Sequence, residues 1–216
     1  MAKGFVIAVD GPAASGKGTV ALGLARDFGL PYLDTGLLYR AVGVLAHKTS
    51  GGVSQDAATA AAIALQARQL DDPDLRTRAA GELASQAAVF PGVRAALLDF
   101  QRSFAAQPGG AVLDGRDIGT VIAPHAPAKL FVTARPEVRA ARRWKQLTGQ
   151  GETVSLEDIL ADIRLRDQRD SGRAAAPLLM ADDAVLLDTS EKSIPQAADA
   201  ARRIVETARA RWTPSS

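Results

Sequence analysis

The 216-residue chain has no cysteine. That excludes a disulfide scaffold, a thiol nucleophile and any thiolate metal site. Histidine is nearly absent as well: His47 and His125 are the only two and lie far apart, which argues against a histidine-rich metal centre. Aromatic residues make up 5% of the chain, too few to interleave with its arginines as stacking platforms for single-stranded nucleic acid. Nor is there an excess of one charge, since 26 basic against 24 acidic side chains leave a formal +2. Long hydrophobic runs are missing too. The longest weakly apolar stretch, 57–67, is alanine interrupted by Thr59 and Gln66, too short and too weakly apolar to span a bilayer. Met1-Ala2-Lys3 leads straight into Phe5-Val6-Ile7-Ala8-Val9, which is too short for a signal-peptide core and has no cleavage site. These absences predict a cytoplasmic protein, a monomer, with neither a membrane nor a nucleic acid as its partner.

What is present is an ordinary globular composition, 47% apolar and 23% charged, with 19 glycines and 11 prolines scattered rather than periodic. The length fits a single domain over 1–216 that can bury its own core. Short apolar runs at 5–9, 111–113, 129–133 and 185–187, with a shorter one at 32–33, read as buried strands. Alanine-rich helical patterns lie between them, at 18–28, 37–47, 55–70, 75–88, 93–105, 137–147, 156–169 and 196–212. Ser155 with Asp158, and Ser193 with Gln196, resemble capping boxes, while Pro91 and Pro136 suit first helical turns. Strands alternating with helices predict an α/β fold, a parallel sheet covered on both faces. Ligands of such sheets bind beyond the carboxyl ends of the strands, so the residues after each strand should carry the chemistry.

After the first strand comes Gly11-Pro12-Ala13-Ala14-Ser15-Gly16-Lys17-Gly18-Thr19. The spacing is G-x-x-x-x-G-K, with Gly18 and Thr19 where the commonest version has Ser or Thr directly. Glycines let successive backbone N–H groups turn inward around phosphate oxygens, and the helix starting near Lys17 aims its positive end at the same anion. Lys17 supplies a mobile full charge for β- and γ-phosphates, and the Thr19 hydroxyl can reach Mg²⁺. A strand before and a helix after set this apart from an ordinary glycine-rich turn. The loop implies nucleoside triphosphate binding, not which reaction.

Leu33-Asp34-Thr35-Gly36-Leu37-Leu38-Tyr39-Arg40 follows the second strand. Asp34 and Thr35 suit helix N-caps. Arg40 reads, taken alone, as a surface salt-bridge residue, although it could also fork onto a phosphate. After the third strand comes Leu113-Asp114-Gly115-Arg116-Asp117-Ile118-Gly119-Thr120. Asp114 lies where a P-loop protein places the acid that orients Mg²⁺, directly or through water. Arg135, Arg139, Arg142 and Arg143 then fall on or just before one helix, and Arg164, Arg166, Arg169 and Arg173 on another. Arg166, Asp170 and Arg173 share one face if that helix persists. The polar, glycine-containing stretch 148–153 between the two clusters suits a mobile flap. A clamp of cations around a transferring phosphoryl group is what such chemistry needs.

Taken together, these motifs resemble the nucleoside monophosphate kinases, and specifically the bacterial cytidylate kinases. The resemblance runs through nearly the whole chain: G-x-x-x-x-GKGT at 11–19, LDTGxxYR at 33–40, ASQ…FPxVR at 84–94, LDGRDxGTV at 113–121, RAxRR at 139–143, RDxRDxxR at 166–173, and Pro177-Leu178. It implies a P-loop NTPase fold, a five-stranded parallel sheet flanked by helices, with a nucleoside-monophosphate region over about 35–108 and a flap over about 145–155. ATP is the implied phosphoryl donor, with Mg²⁺, and CMP or dCMP the acceptor. Residues 11–19 and Arg139 look like the ATP-side residues, and Thr19 and Asp114 like the metal side. Arg40, Arg116 and Arg173 look like the grip on the CMP phosphate, Ser85, Arg94 and Asp117 like the cytosine readers, and Arg166 and Asp170 like the sugar contacts. Thr35 stands where the family more often has Ser. Lys17, Arg116, Arg143, Arg166 and Arg173 form the implied catalytic set. Adenylate kinases resemble this loop, but usually carry a Pro-Gly where Ala13-Ala14 stands here. The small antiparallel insert many members carry before Leu75-Arg76-Thr77 is largely missing, with Leu70–Asp74 closing the gap as a turn. A uridylate or non-nucleotide kinase and a non-catalytic nucleotide-binding module remain the alternatives at this point.

Overall fold

The computed structural model describes residues 4–213. The Met1-Ala2-Lys3 part of the targeting reading lies outside them. All five expected strands form, each longer by one to three residues: β1 Phe5–Asp10, β2 Tyr32–Asp34, β3 Gly110–Gly115, β4 Ala128–Thr133 and β5 Val185–Asp188. They pair in the order β2-β3-β1-β4-β5, every pair parallel. Among the described residues, eight α-helices connect and cover them: α1 Lys17–Phe28, α2 Thr35–Ser50, α3 Gln55–Ile63, α4 Arg78–Ala87, α5 Pro91–Ala105, α6 Pro136–Gly149, α7 Leu156–Gly172 and α8 Ile194–Arg211.

β1, β3 and β4 read as unbroken apolar runs because both sheet faces are covered there. The edge strand β5, expected to be buried, is not: Val185 and Leu186 are exposed and only Leu187 is buried, because no strand among the described residues pairs beyond it and α8 covers one face. Ile7 and Val9 pack with Val20 and Leu24 of α1 and with Ala201 and Val205 of α8. Ala8, Ala111 and Leu113 point the other way, toward Ala105 of α5 and Ile118 and Ile122 of the loop after β3. Away from the sheet, α2 to α5 build a second core. Leu38, Val42 and Ala46 meet Ala58, Ala84, Val93 and Leu97 there. Its small side chains allow close helix approach: a Cβ on Gly43 would lie 2.6 Å from the Leu83 backbone. No helix among the described residues is long and apolar enough to cross a membrane.

Several boundaries differ from the sequence expectation. The helix expected over 55–70 stops at Ile63, and Ala67–Asp71 forms a separate 3₁₀ turn. Local side chains compete for the backbone there: the Gln66 N–H donates to Gln69 Oε1 at 2.7 Å. The 70–74 gap is more than a plain turn. Asp72 accepts from the Asp74 N–H at 2.9 Å and starts a second 3₁₀ turn, Pro73–Arg76. The Thr77 hydroxyl then caps α4, so the helix expected from 75 begins at Arg78. Ser193 and Gln196 form a complete capping box, but Ser155 makes only half of one, accepting from the Asp158 N–H at 3.0 Å. Helix α6 continues through Thr148 and Gly149, which leaves only 150–155 irregular between α6 and α7. Those two helices share Ala140, Leu147, Ile159 and Ile163 as a small core of their own.

Candidate functional site

The loop after β1 is shaped by close approach. A Cβ on Gly11 would sit 2.0 Å from the Val132 carbonyl oxygen of β4, so only glycine lets the chain leave the central strand this way. Ala14 and Gly16 both take left-handed backbone conformations, φ 58° and 89°, and wind the chain into the start of α1. The loop is anchored from outside. The Thr189 hydroxyl donates to the carbonyls of Ser15 (3.0 Å) and Thr133 (3.1 Å), and Arg142 donates to Thr189 in turn. Arg139 is buried and spreads its guanidinium over the carbonyls of Ala134 (2.8 Å) and Ala13 (3.2 Å) and both oxygens of Asp167. Gly18 also has a steric reason: a Cβ there would lie 3.3 Å from Asp114 Oδ2. Thr19 is exposed on the first turn of α1.

Beside the loop, Asp34, the last residue of β2, lies in register with Asp114, the next-to-last residue of β3, so two carboxylates sit on adjacent strands. Burial pushes the Asp114 carboxyl up to about 7, with Lys17 pulling it down and Asp34 pushing it further up. Burial lowers Lys17 to about 8; Arg116 adds to that, while Asp114 and Asp34 oppose it. One Asp114 oxygen, Oδ1, is buried without a hydrogen-bond partner among the described residues. A buried acceptor left open next to a second carboxylate is suited to a divalent cation, which oxygen ligands bind. The side-chain caps expected of Asp34 and Thr35 are not made. Asp34 occupies the N-cap position without a side-chain bond, and the Thr35 hydroxyl donates instead to the Asp114 carbonyl at 2.7 Å.

The acceptor-side candidates come from five elements. Arg116 follows β3 and donates from Nε to Asp170 of α7 at 2.8 Å. Burial lowers the Arg116 pKa, but the carboxylates of Asp170, Asp114 and Asp10 together outweigh it and hold the guanidinium above its ordinary value. Burial raises the Asp170 carboxyl, yet Arg116 and Arg166 outweigh it and hold it below the carboxylate range. Asp117 is buried and pairs with Arg94 of α5, whose guanidinium also lies 5.7 Å from the Tyr39 ring centroid. Burial raises Asp117 against the pull of Arg94, Arg173 and Arg116. Ser85 of α4 is buried and accepts from Arg169 of α7 at 2.9 Å. Arg40 makes no ion pair among the described residues: it donates to the Leu75 carbonyl at 3.0 Å, so the surface salt bridge it suggested in isolation is not formed.

Arg166 and Arg173 stand apart from these pairs. Arg166 Nε, and both Nε and Nη2 of Arg173, are buried donors without an acceptor among the described residues. Burial lowers Arg166 to about 10, and Arg116 and Arg40 push the same way. Burial also lowers Arg173, with Arg94 adding to it and Asp170 opposing. The shared helix face expected for Arg166, Asp170 and Arg173 needs one correction. Helix α7 ends at Gly172, and Arg173 takes an extended conformation (φ −64°, ψ 139°) just beyond it. Arg143, on α6, donates to Gln146 at 2.8 Å; burial lowers its pKa, and Arg40 on the far lobe adds to that. The sequence places Arg169 in an arginine cluster without its contact to Ser85, and gives no role to Tyr39, which faces Arg94. Its motifs also pass over Asp34 as an acid and Asp10 altogether. A carboxylate ending an otherwise apolar strand was the signal for Asp10.

A phosphate loop at the carboxyl edge of an all-parallel sheet, faced by guanidinium groups with open donors, places the protein among P-loop phosphotransferases. The comparisons narrow that class. The family model described as Cytidylate kinase matches residues 7–207. The chain is 70% identical to a Cytidylate kinase of Caulobacter vibrioides (strain NA1000 / CB15N), over 96% of this chain and 98% of that protein. It is 66% identical to one of Caulobacter sp. (strain K31) over 96% and 97%, and 63% identical to one of Xanthobacter autotrophicus over 95% and 99%. The chain belongs to the cytidylate kinase family.

Proposed function

We propose that the protein transfers the γ-phosphoryl group of ATP to CMP or dCMP, giving ADP and the corresponding diphosphate. The observation that carries the phosphate-clamp reading is the set of buried guanidinium donors on Arg166 and Arg173 that lack any acceptor among the described residues. Buried donors without partners are expensive, and an anionic ligand between the sheet edge and α7 would satisfy them. A phosphate oxygen of the acceptor attacks the γ-phosphorus, the bond to the β–γ bridging oxygen breaks, and ADP leaves with that electron pair. The attacking oxygen is already anionic, so no side chain need remove a proton from it.

The chain's contribution is position and charge. Backbone N–H groups of 12–19 and Lys17 hold the donor phosphates, with Arg139 bracing the loop through Ala13. Arg40, Arg116 and Arg173 hold the acceptor phosphate, while Arg166 and Arg143 bring charge from α7 and α6. Ser85, Arg94 and Asp117 read the base, with Arg166 and Asp170 at the sugar. Asp114 and the Thr19 hydroxyl would hold Mg²⁺, directly or through water, with Asp34 beside them. Bound there, the ion neutralises phosphate charge. The lobe of α2 to α5, about 35–108, serves as the monophosphate region. The α6–α7 connection, about 145–155, serves as a flap that keeps water from the γ-phosphate. An ADP-release assay across CMP, dCMP, UMP, AMP and non-nucleotide acceptors tests this. Turnover with CMP and dCMP well above the rest is the expected result. Equal use of UMP would overturn the base assignment, and ATP and CMP binding without ADP formation would overturn catalysis.

A further inference from the structure

The mechanism above does not use Asp10, the last residue of β1. It is buried, at 5% exposure, and forms no ion pair among the described residues. Its partners are two backbone donors: the Ile118 N–H meets Oδ1 at 2.8 Å and the Gly119 N–H meets Oδ2 at 2.7 Å. These are the first N–H groups of a single π-helical turn, Ile118–Ile122, closed by the Ile122 N–H on the Asp117 carbonyl (3.1 Å) and the Ala123 N–H on that of Ile118 (2.7 Å). The first N–H groups of a helical turn have no partner within it, so something outside must accept from them. Here a carboxylate 108 residues earlier does so. Lys129 could have paired with Asp10, because its stem passes Gly119, but its ammonium is drawn away to the Pro124 carbonyl (2.6 Å) and Asp183 (2.7 Å).

We propose that Asp10 is a positioning residue for the acceptor site, holding the backbone at 118–119 so that Arg116 and Asp117 face CMP from a fixed place. The inference rests on the reading of Asp117 as a base contact. Asp10 directly precedes Gly11, so one carboxylate ties the start of the donor loop to the loop that carries the acceptor contacts. Burial pushes its carboxyl up to about 6 against the pull of the two N–H donors, so above neutral pH both oxygens accept. An asparagine there keeps the size but offers one acceptor and turns an NH₂ toward the other N–H, freeing one end of the π turn.

The test uses the full chain at about pH 8, with steady-state rates on CMP and UMP for Asp10→Asn, Asp117→Asn and the double variant. For Asp10→Asn, kcat/KM for CMP should fall about tenfold or more and the CMP/UMP ratio should narrow, with KM for ATP within about threefold of the parent. In the double variant the ratio should stay within about threefold of that for Asp117→Asn alone, because both changes act on one contact. Gly119→Ala probes the same contact from the other side. Its Cβ would sit 3.3 Å from Asp10 Oδ2 and 3.2 Å from the Lys129 stem, so it should narrow the ratio in the same direction even if Asp10→Asn does not fold. Multiplying effects in the double variant would overturn the proposal, as would a raised KM for ATP with an unchanged CMP/UMP ratio, or an unchanged ratio in Gly119→Ala. If Asp117→Asn itself leaves the ratio unchanged, the base assignment fails first and this inference goes with it.

Discussion

The proposed donor and acceptor sides of the site are built in different ways. The donor side is a stretch of backbone, residues 11–19, shaped by left-handed turns at Ala14 and Gly16 and pinned by Thr189 and Arg139. Its polar surface is peptide N–H, and one charged side chain, Lys17, is added. The acceptor side is made of side chains from separate elements, and these largely hold one another: Arg94 with Asp117, Arg116 with Asp170, Arg169 with Ser85. A backbone site binds any triphosphate of the right shape. A side-chain site paired in advance makes a ligand compete with existing pairs, and that competition is where selectivity arises.

Lys17→Ala and Arg173→Ala should have the largest effects, the first on kcat and the second on kcat/KM. In Lys17→Ala, loss of a full charge on the transferring group is expected to lower kcat on the order of a hundredfold or more, by a similar factor for every acceptor. A changed acceptor preference in that variant would break the division between the two sides. Arg173→Ala should lower kcat/KM for CMP by about 2–5 kcal/mol equivalent while leaving KM for ATP near the parent value. An unchanged kcat/KM for CMP in a folded variant would return Arg173 to a purely structural role. Asp117→Asn should lower activity on CMP and narrow the CMP/UMP ratio by about tenfold, since an amide can donate to the uracil 4-carbonyl where a carboxylate can only accept. Proportional loss on both nucleotides would mean that Asp117 only orders Arg94.

The smallest effect is a pH signature of Asp114. Its folded carboxyl titrates near 7, above the ordinary carboxylate value, so the folded protein holds this proton more tightly than the unfolded chain. Its contribution to stability is therefore full below about pH 4 and is lost as pH rises toward about 7. Thermal unfolding of Asp114→Asn without metal should gain on the parent by about 1–2 kcal/mol between about pH 4.5 and 6.5, where Lys17 keeps its proton. A difference that does not change with pH would place Asp114 in a more solvated setting.

This division also decides how much was legible in the sequence. The inner strands were readable because unbroken apolar runs need two covered faces, and the phosphate loop because backbone sites impose glycine at fixed spacing; at β5 the same apolar run misleads about burial, since Val185 and Leu186 are exposed. The helix ends near Ile63 and Gly172 were not, since Gln66, Asp72 and the extended Arg173 interrupt a pattern whose composition still favours helix. On the acceptor side, the motifs named residues without naming their partners. Nothing local in the chain says that Arg169 reaches Ser85 across 84 positions, or that Asp10 caps a turn at 118. Such pairings are set by strand order, and the order β2-β3-β1-β4-β5 is not written in any one segment.

The two donor atoms of Arg173 that have no acceptor among the described residues bear on how this protein would respond to directed evolution. A buried guanidinium with unpaired N–H groups is a standing weakness of the fold, and an apolar residue of similar volume would remove it. Selection for heat tolerance alone should therefore accept Arg173→Met, and the hardier variants it yields would be poor enzymes. A thermostability screen of this chain needs a concurrent turnover measurement, with Arg173 as a position where the two objectives diverge.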